Sequence, residues 1–599
     1  MQLKGGTFIT DKTDYKTIFL PEEWSEEQLM IRDMVKEFCI QEIHGMGIEK
    51  VAALDAAKDK ELIVAMLEKS AELGLCGLSI DKEYGGMDLD FNTGLLFGEA
   101  IALGFSFATT IGAQTSIGSL PIVFYGTAEQ KQKYLPGIAT AKLKASYCLT
   151  EPGAGSDANS GKTKATLSAD GTHYLLNGQK MWITNGGFAD VFIVFAKIEN
   201  DENLSAFIVE KAFGGIELGK EEKKLGIKGS STVQVFFNNC KVPAENLLGK
   251  RGEGFKMALN ILNTGRIKLA AGSVGGSKFA IGKSVEYANQ RIQFGKPISS
   301  FGAIQYKIGE MIMRTFATES ALYRTGQNID LKCEEFVKNG IDKSEAKLQA
   351  VREFAVECAI LKVFGSDSLD YVVDEALQIH GGMGYAVETG IEMGYRDARI
   401  TRIYEGTNEI NRLLSVAELT RRALKTKEVD LVGAGKKLPM LFVKQLLPFK
   451  STSGFSEESR IVENIKAAFL LISGAAGNKL REKMVDEQEI VMNLADILAE
   501  AYIGESLLLR VQKLNDKQGY DKEALAIQKN LLQLFLYESL AKVRKAGQDA
   551  IAAYATGFEK STMNYLLKLL TPAYNVNSKE LRRSIANYAI KKNGYPFVG

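Results

Sequence analysis

The sequence predicts a mainly α-helical chain with a β middle domain and an additional helical domain at its C-terminal end. Apolar residues recur at helical spacing from about residue 21 to 142 and again from about residue 254 to 426. Between these regions, residues 147–249 are rich in β-branched and aromatic residues. Only ten of the 599 residues are proline, which favours long helices because proline removes a helical hydrogen-bond donor. The predicted segments are an N-terminal extension (1–24), a helical N-terminal domain (25–146), the β middle domain (147–250), a helical bundle (251–430), a linker (431–455) and the helical C-terminal domain (456–599).

Local signals mark individual elements. Ser25 with Gln28, and Thr127 with Gln130, have the three-residue spacing of a capping box, so we expect helices to begin directly after Ser25 and Thr127. In the middle domain, the turn residues Asn177-Gly178 and Gly186-Gly187 are expected to separate strands. No helical segment divides these strands, which favours an antiparallel barrel or sandwich over a Rossmann sheet.

The C-terminal domain carries two apolar stripes at helical spacing, and we expect both to face a core rather than a membrane. The first stripe contains Ile461, Ile465, Phe469 and Ile472, and the second contains Ile490, Leu494, Ile497 and Ala501.

The composition excludes several classes of protein. With 74 basic and 73 acidic residues, the chain has no global field that would favour nucleic acid. Three histidines leave little room for a histidine-based metal site. The six cysteines contain no CxxC pair, so we interpret them as small buried apolar residues in a reducing compartment.

The N-terminal segment, the hydropathy and the basic tail of the sequence bear on where in the cell the protein is expected. The N-terminus lacks the apolar core of a signal peptide, and no run of 18 apolar residues is present. We therefore expect a bacterial cytoplasmic protein. Near the chain end, five basic residues accompany one acid, so the tail could contact anionic lipid at the inner membrane or form a solvated surface. These basic residues are Lys579, Arg582, Arg583, Lys591 and Lys592.

Common nucleotide-binding motifs are absent from the sequence. A P-loop needs a glycine five residues before its Gly-Lys-Ser/Thr glycine, but Ser277 precedes Gly282-Lys283-Ser284 and Ser156 precedes Gly161-Lys162-Thr163. A redox cofactor would therefore need another arrangement.

Three segments combine residue types that suit a ligand site. Residues 147–157 (YCLTEPGAGSD) open the β region, and their glycines would let a ligand approach closely, although a plain turn is an equal alternative. Residues 180–186 (KMWITNG) form a strand that enters a turn, and Trp182 could instead be a core aromatic. Residues 402–410 (RIYEGTNEI) place Glu405 before a glycine, just ahead of a new helix.

Together these segments resemble the acyl-CoA dehydrogenase family. YCLTEPGAGSDA, KMWITNGG, RIQFGKPI, QIHGGMGY and IYEGTNEI occur in the order and approximate spacing of that family, over residues 25–425. The extra C-terminal region and the segment NILNTGR (260–266) are similar to the very-long-chain subfamily and its assembly-factor relatives. The resemblance implies a helical N-terminal domain, a β-barrel-like middle domain and a four-helix-bundle domain, with FAD bound between the middle domain, the bundle and the neighbouring subunit.

The resemblance also implies which residues contact FAD. Arg291, Gln293 and Phe294 would reach the FAD of the partner subunit, where the guanidinium offers a permanent charge to the pyrophosphate. Gln378, Gly381 and Gly382 would approach the adenosine end, and Thr407 and Glu409 would flank the cofactor. The remaining implied contacts are Tyr147, Cys148, Leu149, Thr150, Gly155, Ser156, Trp182, Ile183 and Thr184.

Glu405 is the predicted catalytic base. Oxidising a saturated acyl thioester removes a proton from Cα, which is weakly acidic and needs a positioned carboxylate. The resemblance implies that the β-hydrogen leaves as hydride to flavin N5, and that the backbone N–H of Glu405 and an FAD hydroxyl bind the thioester oxygen. Burial should raise the pKa of Glu405. Some family members place the base directly before the arginine of a long helix; here that position is Gly265, which cannot act as a base.

The substrate residues are predicted from the same resemblance. Ser156 would lie on the path of the CoA arm, and Gly406 would leave space for the thioester. Arg266 would lie beside the pocket, although an ion pair within its helix is an alternative. Asn263 and Tyr404 complete this set. Segment 111–122 should line part of the acyl cavity, where Gly112 and Gly118 would either open a tunnel or serve helix packing.

The implied function is FAD-dependent α,β-dehydrogenation of fatty acyl-CoA, with long chains favoured by subfamily analogy, to trans-2-enoyl-CoA in β-oxidation. Electrons would pass to an electron-transferring flavoprotein, and the protein would be a homodimer or a dimer of dimers. Two alternatives stay open: an acyl-CoA oxidase that uses oxygen, and a non-catalytic assembly or scaffold protein. Glu405 and the intact FAD motifs count against the second alternative.

Overall fold

Short helices build the N-terminal domain of the computed structural model, which describes residues 3–446 and 454–597. Ser25 with Gln28, and Thr127 with Gln130, form complete capping boxes, so both predicted helix starts are confirmed. The helices are α1 (Glu26–Phe38), α2 (Ile48–Ala53), α3 (Lys60–Glu72), α4 (Phe91–Ala100), α5 (Ser106–Thr115), α6 (Leu120–Tyr125) and α7 (Ala128–Ala139).

An eight-stranded sheet forms the middle domain. Its strands are β1 (Ala145–Cys148), β2 (Lys164–Leu167), β3 (His173–Thr184), β4 (Val191–Ile198), β5 (Ser205–Glu210), β6 (Ile216–Leu218), β7 (Thr232–Pro243) and β8 (Leu247–Leu248). They are ordered β6-β7-β3-β2-β4-β5-β8, and β1 pairs with β4. Both β1 and β2 run parallel to β4, so the sheet is mixed, whereas the sequence predicted an antiparallel one.

The predicted turn at Asn177-Gly178 is wrong, because these residues lie inside β3. The pairing register with β7 shifts between Leu176 and Gly178, as at a bulge. A Cβ at Gly178 would lie 2.5 Å from the hydroxyl oxygen of Thr163, so the close approach of a neighbouring segment explains this glycine. The predicted turn at Gly186-Gly187 is present.

Four long helices pack together as the bundle: α8 (Gly254–Gln290), α9 (Gly302–Lys338), α11 (Ala355–His380) and α14 (Asn408–Leu424). Shorter helices accompany them: α10 (Lys343–Glu353), α12 (Gly382–Tyr385) and α13 (Ile391–Ala398). Between α8 and α9, β9 (Ile292–Gln293) and β10 (Lys296–Pro297) form an exposed hairpin.

The predicted linker contains helices where the structure describes it. These are α15 (Leu431–Lys436) and α16 (Leu438–Leu446), and residues 447–453 of the linker lie outside the described residues. The Asp430 carboxylate accepts a hydrogen bond from the N–H of Gly433 at 2.7 Å, so a helix cap explains why a glycine-containing stretch begins as helix.

The C-terminal domain is a second helical unit that shares a hydrophobic core with the bundle. Its helices are α17 (Ser456–Leu480), α18 (Gln488–Asp516), α19 (Lys522–Tyr554), α20 (Gly557–Leu570) and α21 (Ser578–Lys592). All eight residues of the two apolar stripes are buried, so their predicted core-facing role is confirmed. Helix α18 packs against α9 and α14, and α21 packs against α9.

A buried ion cluster joins the C-terminal domain to the rest of the chain. Arg510 on α18 pairs with Glu319 on α9 and with Glu22 in the N-terminal extension, each at 2.7 Å. Glu319 also pairs with Lys278 on α8, whose ammonium reaches Glu99 on α4 at 2.7 Å. Removing one partner of a buried pair costs about 3–5 kcal/mol, so this cluster fixes how the N-terminal extension, the N-terminal domain, the bundle and the C-terminal domain meet.

Two further findings concern membrane-spanning helices and the state of the cysteines. Every helix within the described residues is too short or too polar to cross a membrane. The six cysteines are free thiols, and five of them are buried while Cys333 is half-buried. For the five buried thiols, the interpretation as small apolar residues is confirmed.

Candidate active site

Glu405 lies in the loop between α13 and α14, beside α8. Its backbone φ of +57° is in the left-handed region, which a glutamate adopts only at an energetic cost. The amide of Asn411 donates hydrogen bonds to three successive carbonyl oxygens, those of residues 405, 406 and 407, at 3.3, 2.7 and 3.0 Å. The Thr407 hydroxyl accepts a hydrogen bond from the N–H of Ile410 and caps α14. The first turn of α14 therefore holds the loop in its strained shape.

Gly265 on α8 leaves the space in which the Glu405 carboxylate lies. A Cβ at Gly265 would be 2.6 Å from Oε2 of Glu405 and 2.8 Å from its Cδ. Interiors are packed too tightly for a side chain to enter at such distances without displacing its neighbour. Gly265, which cannot itself act as a base, therefore leaves room for the carboxylate of the predicted base, Glu405.

The electrostatics of the site suit a base that works near neutral pH. Burial raises the pKa of Glu405 to about 7, although the charges of Arg266 and Lys362 oppose this shift. Arg266 donates to Oδ1 of Asn263 at 2.6 Å and to the carbonyl oxygen of Glu405 at 3.4 Å. The ammonium of Lys362 donates to Oδ1 of Asn408 at 2.6 Å. Two cations therefore lie near the carboxylate without bonding it, and Oε2 has no hydrogen-bond partner among the described residues.

A cavity of about 320 Å³ begins at Glu405 and runs along α8. The α8 residues that line it extend from Gly265 to Ala280, and fifteen residues of helix span about 22 Å. Helices α4, α5, α11 and α13 supply further walls, which consist mainly of glycine, alanine and other apolar residues. Such an apolar channel with a few convergent polar groups is typical of a ligand site.

Segment 111–122 lines this cavity, as the sequence predicted, and its two glycines differ in role. Gly112 lines the cavity, and nothing lies within 4 Å of a Cβ built on it. A Cβ at Gly118 would lie 2.8 Å from the carbonyl oxygen of Ala113. Gly112 therefore leaves cavity space, whereas Gly118 permits close packing.

The middle domain reaches the cavity through Thr184, the last residue of β3, and β1 packs beside β3. The N–H of Met181 donates to the carbonyl oxygen of Thr150 at 2.9 Å, and the Ser146 hydroxyl donates to that of Thr184 at 2.7 Å. Thr184 lines the cavity, and Trp182 is 55% exposed with a φ of +61°. Trp182 is therefore a surface aromatic rather than a core one, and its ring face is able to contact a planar ligand.

The other predicted residues of this region fall into two groups. Tyr147 is buried. Burial raises the pKa of its hydroxyl well above the ordinary value, and the charge of Glu405 adds to this increase, so the tyrosine lies near the base. Its hydroxyl has no hydrogen-bond partner among the described residues. The side chains of Cys148, Leu149 and Ile183 are buried, so these residues can offer a ligand only their backbone.

Among the five predicted substrate residues, Tyr404 is the one that belongs to the cavity wall. Tyr404 lines the cavity and is 37% exposed, and Gly406 has a φ of +78°. Asn263 is buried and holds Arg266, which makes no ion pair within its helix. Gly155 and Ser156 lie in an exposed turn after β1, and Thr407 and Glu409 begin α14.

A second set of predicted cofactor residues lies at the far end of α8. Arg291, Gln293 and Phe294 are in the exposed hairpin that follows α8, where Phe294 is 92% exposed. Gln290, the last residue of α8, is 25 residues beyond Gly265, which corresponds to about 37 Å.

The remaining predicted cofactor residues belong to this distant set. Gln378, Gly381 and Gly382 are exposed at the C-terminal end of α11. The His380 ring stacks on Tyr287 of α8 at 4.3 Å, so the ends of the two helices adjoin. Within one chain, the two sets of predicted cofactor residues are therefore too far apart to contact one flavin ring.

Two residues that act on the base were not predicted: Lys362 lowers its pKa, and Asn411 holds its loop. Lys362 is the single charged residue in the apolar run 358–364 (CAILKVF). A lone charge in such a run could have marked this lysine as a candidate site residue. Asn411 follows the Glu405 loop by one helical turn, but nothing in its spacing shows that its amide reaches three carbonyl groups.

Comparison with protein-family models gives four matches. The model described as "Acyl-CoA dehydrogenase, N-terminal domain" matches residues 25–142, and the middle-domain model matches residues 146–240. Two models described as "Acyl-CoA dehydrogenase, C-terminal domain" match residues 252–420 and 464–569.

Individual proteins are also similar to the chain. A probable acyl-CoA dehydrogenase of Bacillus subtilis (strain 168) is 42% identical over 587 residues, which cover 97% of each chain. The very long-chain specific acyl-CoA dehydrogenase of Rattus norvegicus is 39% identical over 475 residues, covering 75% of this chain and 70% of the relative. A crystal structure of an acyl-CoA dehydrogenase complexed with FAD from Bacillus anthracis is similar with a TM-score of 0.94 and 40% identity, covering 99% of this chain and 100% of that one.

Proposed function

The chain belongs to the acyl-CoA dehydrogenase family, and from this premise we propose that it oxidises fatty acyl-CoA thioesters between Cα and Cβ with FAD as its cofactor. One observation carries the proposal. A buried glutamate with a pKa raised to about 7 stands at the start of a long apolar cavity, and the wall of this cavity includes Thr184, two residues beyond the exposed Trp182 of the middle domain. A carboxylate in this position is suited to removing a weakly acidic proton from a carbon chain.

The residues around the opening fit FAD. The exposed ring of Trp182, together with the backbone of β3 beside it, offers an aromatic and partly polar surface. The similar Bacillus anthracis structure is described as complexed with FAD. When bound, FAD accepts the hydride that leaves Cβ.

Glu405 takes the α-proton in this proposal. The apolar walls orient the acyl chain along α8, so that Cα meets the carboxylate beside Gly265. The backbone N–H of Glu405 has no acceptor among the described residues, so it is free to donate to the thioester oxygen as charge develops there. The mainly apolar walls lower the local dielectric constant, which strengthens the electrostatic interactions of both groups.

The cavity length favours long acyl chains. Its run of about 22 Å along α8 exceeds the length of about 15 Å that one lipid acyl chain occupies in half of a bilayer core. We therefore propose long-chain acyl-CoA as substrate. A panel of saturated acyl-CoAs from C4 to C20, assayed with a dye as electron acceptor, tests this: the highest kcat/KM should lie above C12, and a maximum at C4–C6 would contradict it.

The distance between the two sets of cofactor residues supports a homodimer. In that arrangement, the hairpin that carries Arg291 contacts the FAD bound by the other subunit. Most oligomers of identical chains are symmetric dimers or assemblies of dimers, so two equivalent sites would form together.

We propose an electron-transferring flavoprotein as the electron acceptor, with oxygen as the acceptor in the alternative oxidase function. A mixed assay in air should show acyl-CoA oxidation that depends on the added flavoprotein and yields little peroxide. Peroxide equal to the product formed would favour the oxidase.

We propose a cytoplasmic location, because all six cysteines are free thiols and a reducing compartment keeps thiols in this state. The basic tail gives lipid contact less support, since Arg582 pairs with Glu310 at 2.7 Å and Lys591 pairs with Glu523 at 2.8 Å. Sedimentation with anionic vesicles tests this: the protein should stay in the supernatant at physiological salt.

A further inference from the structure

One lysine lies inside the proposed acyl cavity. Lys268 is three residues beyond Gly265 on the cavity face of α8, so its backbone lies about 4.5 Å further along the channel than the glycine that faces Glu405. Its side chain is partly exposed, yet protein encloses it, and the surface it exposes is that of the cavity. Lys268 is therefore placed where an acyl chain would pass after leaving the reacting carbons.

The ammonium of Lys268 has no protein partner. Within residues 3–446 and 454–597, no group accepts a hydrogen bond from it, forms an ion pair with it or presents an aromatic face to it. The other ionisable residues that line the cavity are Asp397, Tyr404 and Glu405, and none of them perturbs the pKa of Lys268. Burial alone lowers that pKa to about 8, so the side chain is still mainly cationic at pH 7.

Other buried lysines of this chain are paired. Lys180 pairs with Glu151 at 2.7 Å, and Lys278 pairs with Glu99 at 2.7 Å. Lys362 donates to the amide oxygen of Asn408. An enclosed cation without a partner is unfavourable, and a plain alkyl chain packed against it would remove its remaining hydration. The unpaired state of Lys268 therefore calls for an anionic partner that arrives with the substrate.

We propose that Lys268 makes this cavity a binding site for acyl-CoAs whose chain ends in a carboxylate, and that the ammonium forms an ion pair with this distal carboxylate. This inference rests on the proposed dehydrogenase function and names a substrate class for the same site. The ammonium is carried on a flexible four-carbon stem, so the paired carboxylate lies several carbons beyond Cβ and away from the base. Glu405 then acts on such a substrate as it acts on an alkyl chain.

The test compares pairs of substrates with equal carbon number, one a saturated acyl-CoA and one its ω-carboxyacyl counterpart, from C6 to C16. Holoenzyme kcat/KM is measured with a dye acceptor for the wild type, for Lys268→Met and for the charge-conserving Lys268→Arg. At one or more chain lengths, the wild type should prefer the ω-carboxyacyl-CoA by about tenfold or more, since a desolvated ion pair is strongly discriminating. Lys268→Met should reverse this preference, and Lys268→Arg should retain it.

The outcomes separate this inference from the proposed function. If the wild type and Lys268→Met oxidise alkyl chains but show the same preference at every length, the role of Lys268 is overturned while the dehydrogenase function stands. If the wild type oxidises neither class, the dehydrogenase function itself fails. The thermal midpoint gives an independent check, because removing an unpaired enclosed charge should not lower the Tm of the protein. A lower Tm in Lys268→Met would show that the lysine has a structural partner, and would overturn the proposal.

Discussion

The carboxylate of Glu405 occupies the space that a side chain at Gly265 would need, with Oε2 only 2.6 Å from the position of that missing Cβ. The two residues are far apart in sequence, one in the first half of α8 and the other in the loop before α14. Their contact fixes where the base lies relative to the acyl cavity, because α8 forms one whole wall of that cavity.

Replacing Gly265 by alanine should displace the base. The added methyl group would force the Glu405 carboxylate to move, and a misplacement of about 1 Å can lower a catalysed rate about 100-fold. We expect kcat to fall by at least tenfold while FAD stays bound, as measured by dye reduction and by the flavin absorbance. Gly282→Ala on the same helix is the control, because its Cβ meets open space and it lies outside the cavity. Equal activity of the two variants would show that the contact is unimportant.

The pH dependence should report the raised pKa of Glu405. The base must be deprotonated, so kcat/KM should increase as the pH rises through about 7 and be lost below it. Replacing Lys362 by methionine removes a charge that lowers this pKa, so the midpoint should move to higher pH and activity should recover in alkaline buffer. The control is Lys283→Met, which removes an exposed lysine paired with Glu286. An unshifted midpoint in the Lys362 variant would contradict the assigned influence.

Chain-length preference should depend on Gly272. This residue lines the cavity about one turn beyond Lys268, and a Cβ there meets only the carbonyl oxygen of Gly98, at 3.9 Å. Gly272→Leu should block the channel, so that kcat/KM for C16 acyl-CoA falls at least tenfold while that for C4 acyl-CoA changes little. Gly282→Leu, on the same helix but outside the cavity, should leave the ratio of the two substrates unchanged. A proportional loss for both substrates in Gly272→Leu would argue against a channel at this position.

The shared site of the proposed dimer predicts complementation between two inactive variants. Arg291→Ala should impair the FAD site of the other subunit, and Glu405→Gln should disable its own subunit's base. In a heterodimer, one site then combines an intact Glu405 with an intact Arg291. Random co-assembly should restore about a quarter of the wild-type activity, because about half of the symmetric dimers are mixed and each carries one intact site. Activity no higher than the sum of the separate variants would contradict a shared site.

Local elements were predictable from the sequence because their determinants are local. The capping boxes at Ser25 and Thr127 depend on residues three positions apart, and both helices begin as predicted. The apolar stripes of the C-terminal domain depend on helical spacing, and they are buried. The Asn177-Gly178 prediction failed because this glycine is required by the close approach of Thr163 in a neighbouring segment. The residues next to it in the chain do not show that approach.

The candidate site was predictable in its motifs but not in its contacts. The motif around Glu405 marks a carboxylate ahead of a helix, and burial then sets its pKa. The space left by Gly265, the three hydrogen bonds of Asn411 and the enclosure of Lys268 arise only when separate helices pack together. Spacing along the chain carries no information about such packing.

The central claim is that Glu405 removes the α-proton, and anaerobic mixing of the FAD-loaded enzyme with acyl-CoA tests it most directly. In the wild type, the flavin absorbance near 450 nm should bleach rapidly as hydride transfer follows proton removal. Glu405→Gln should keep its FAD but bleach about 10²- to 10⁴-fold more slowly, the contribution expected of a general base. Bleaching at the wild-type rate in Glu405→Gln would contradict the assignment of this residue as the base.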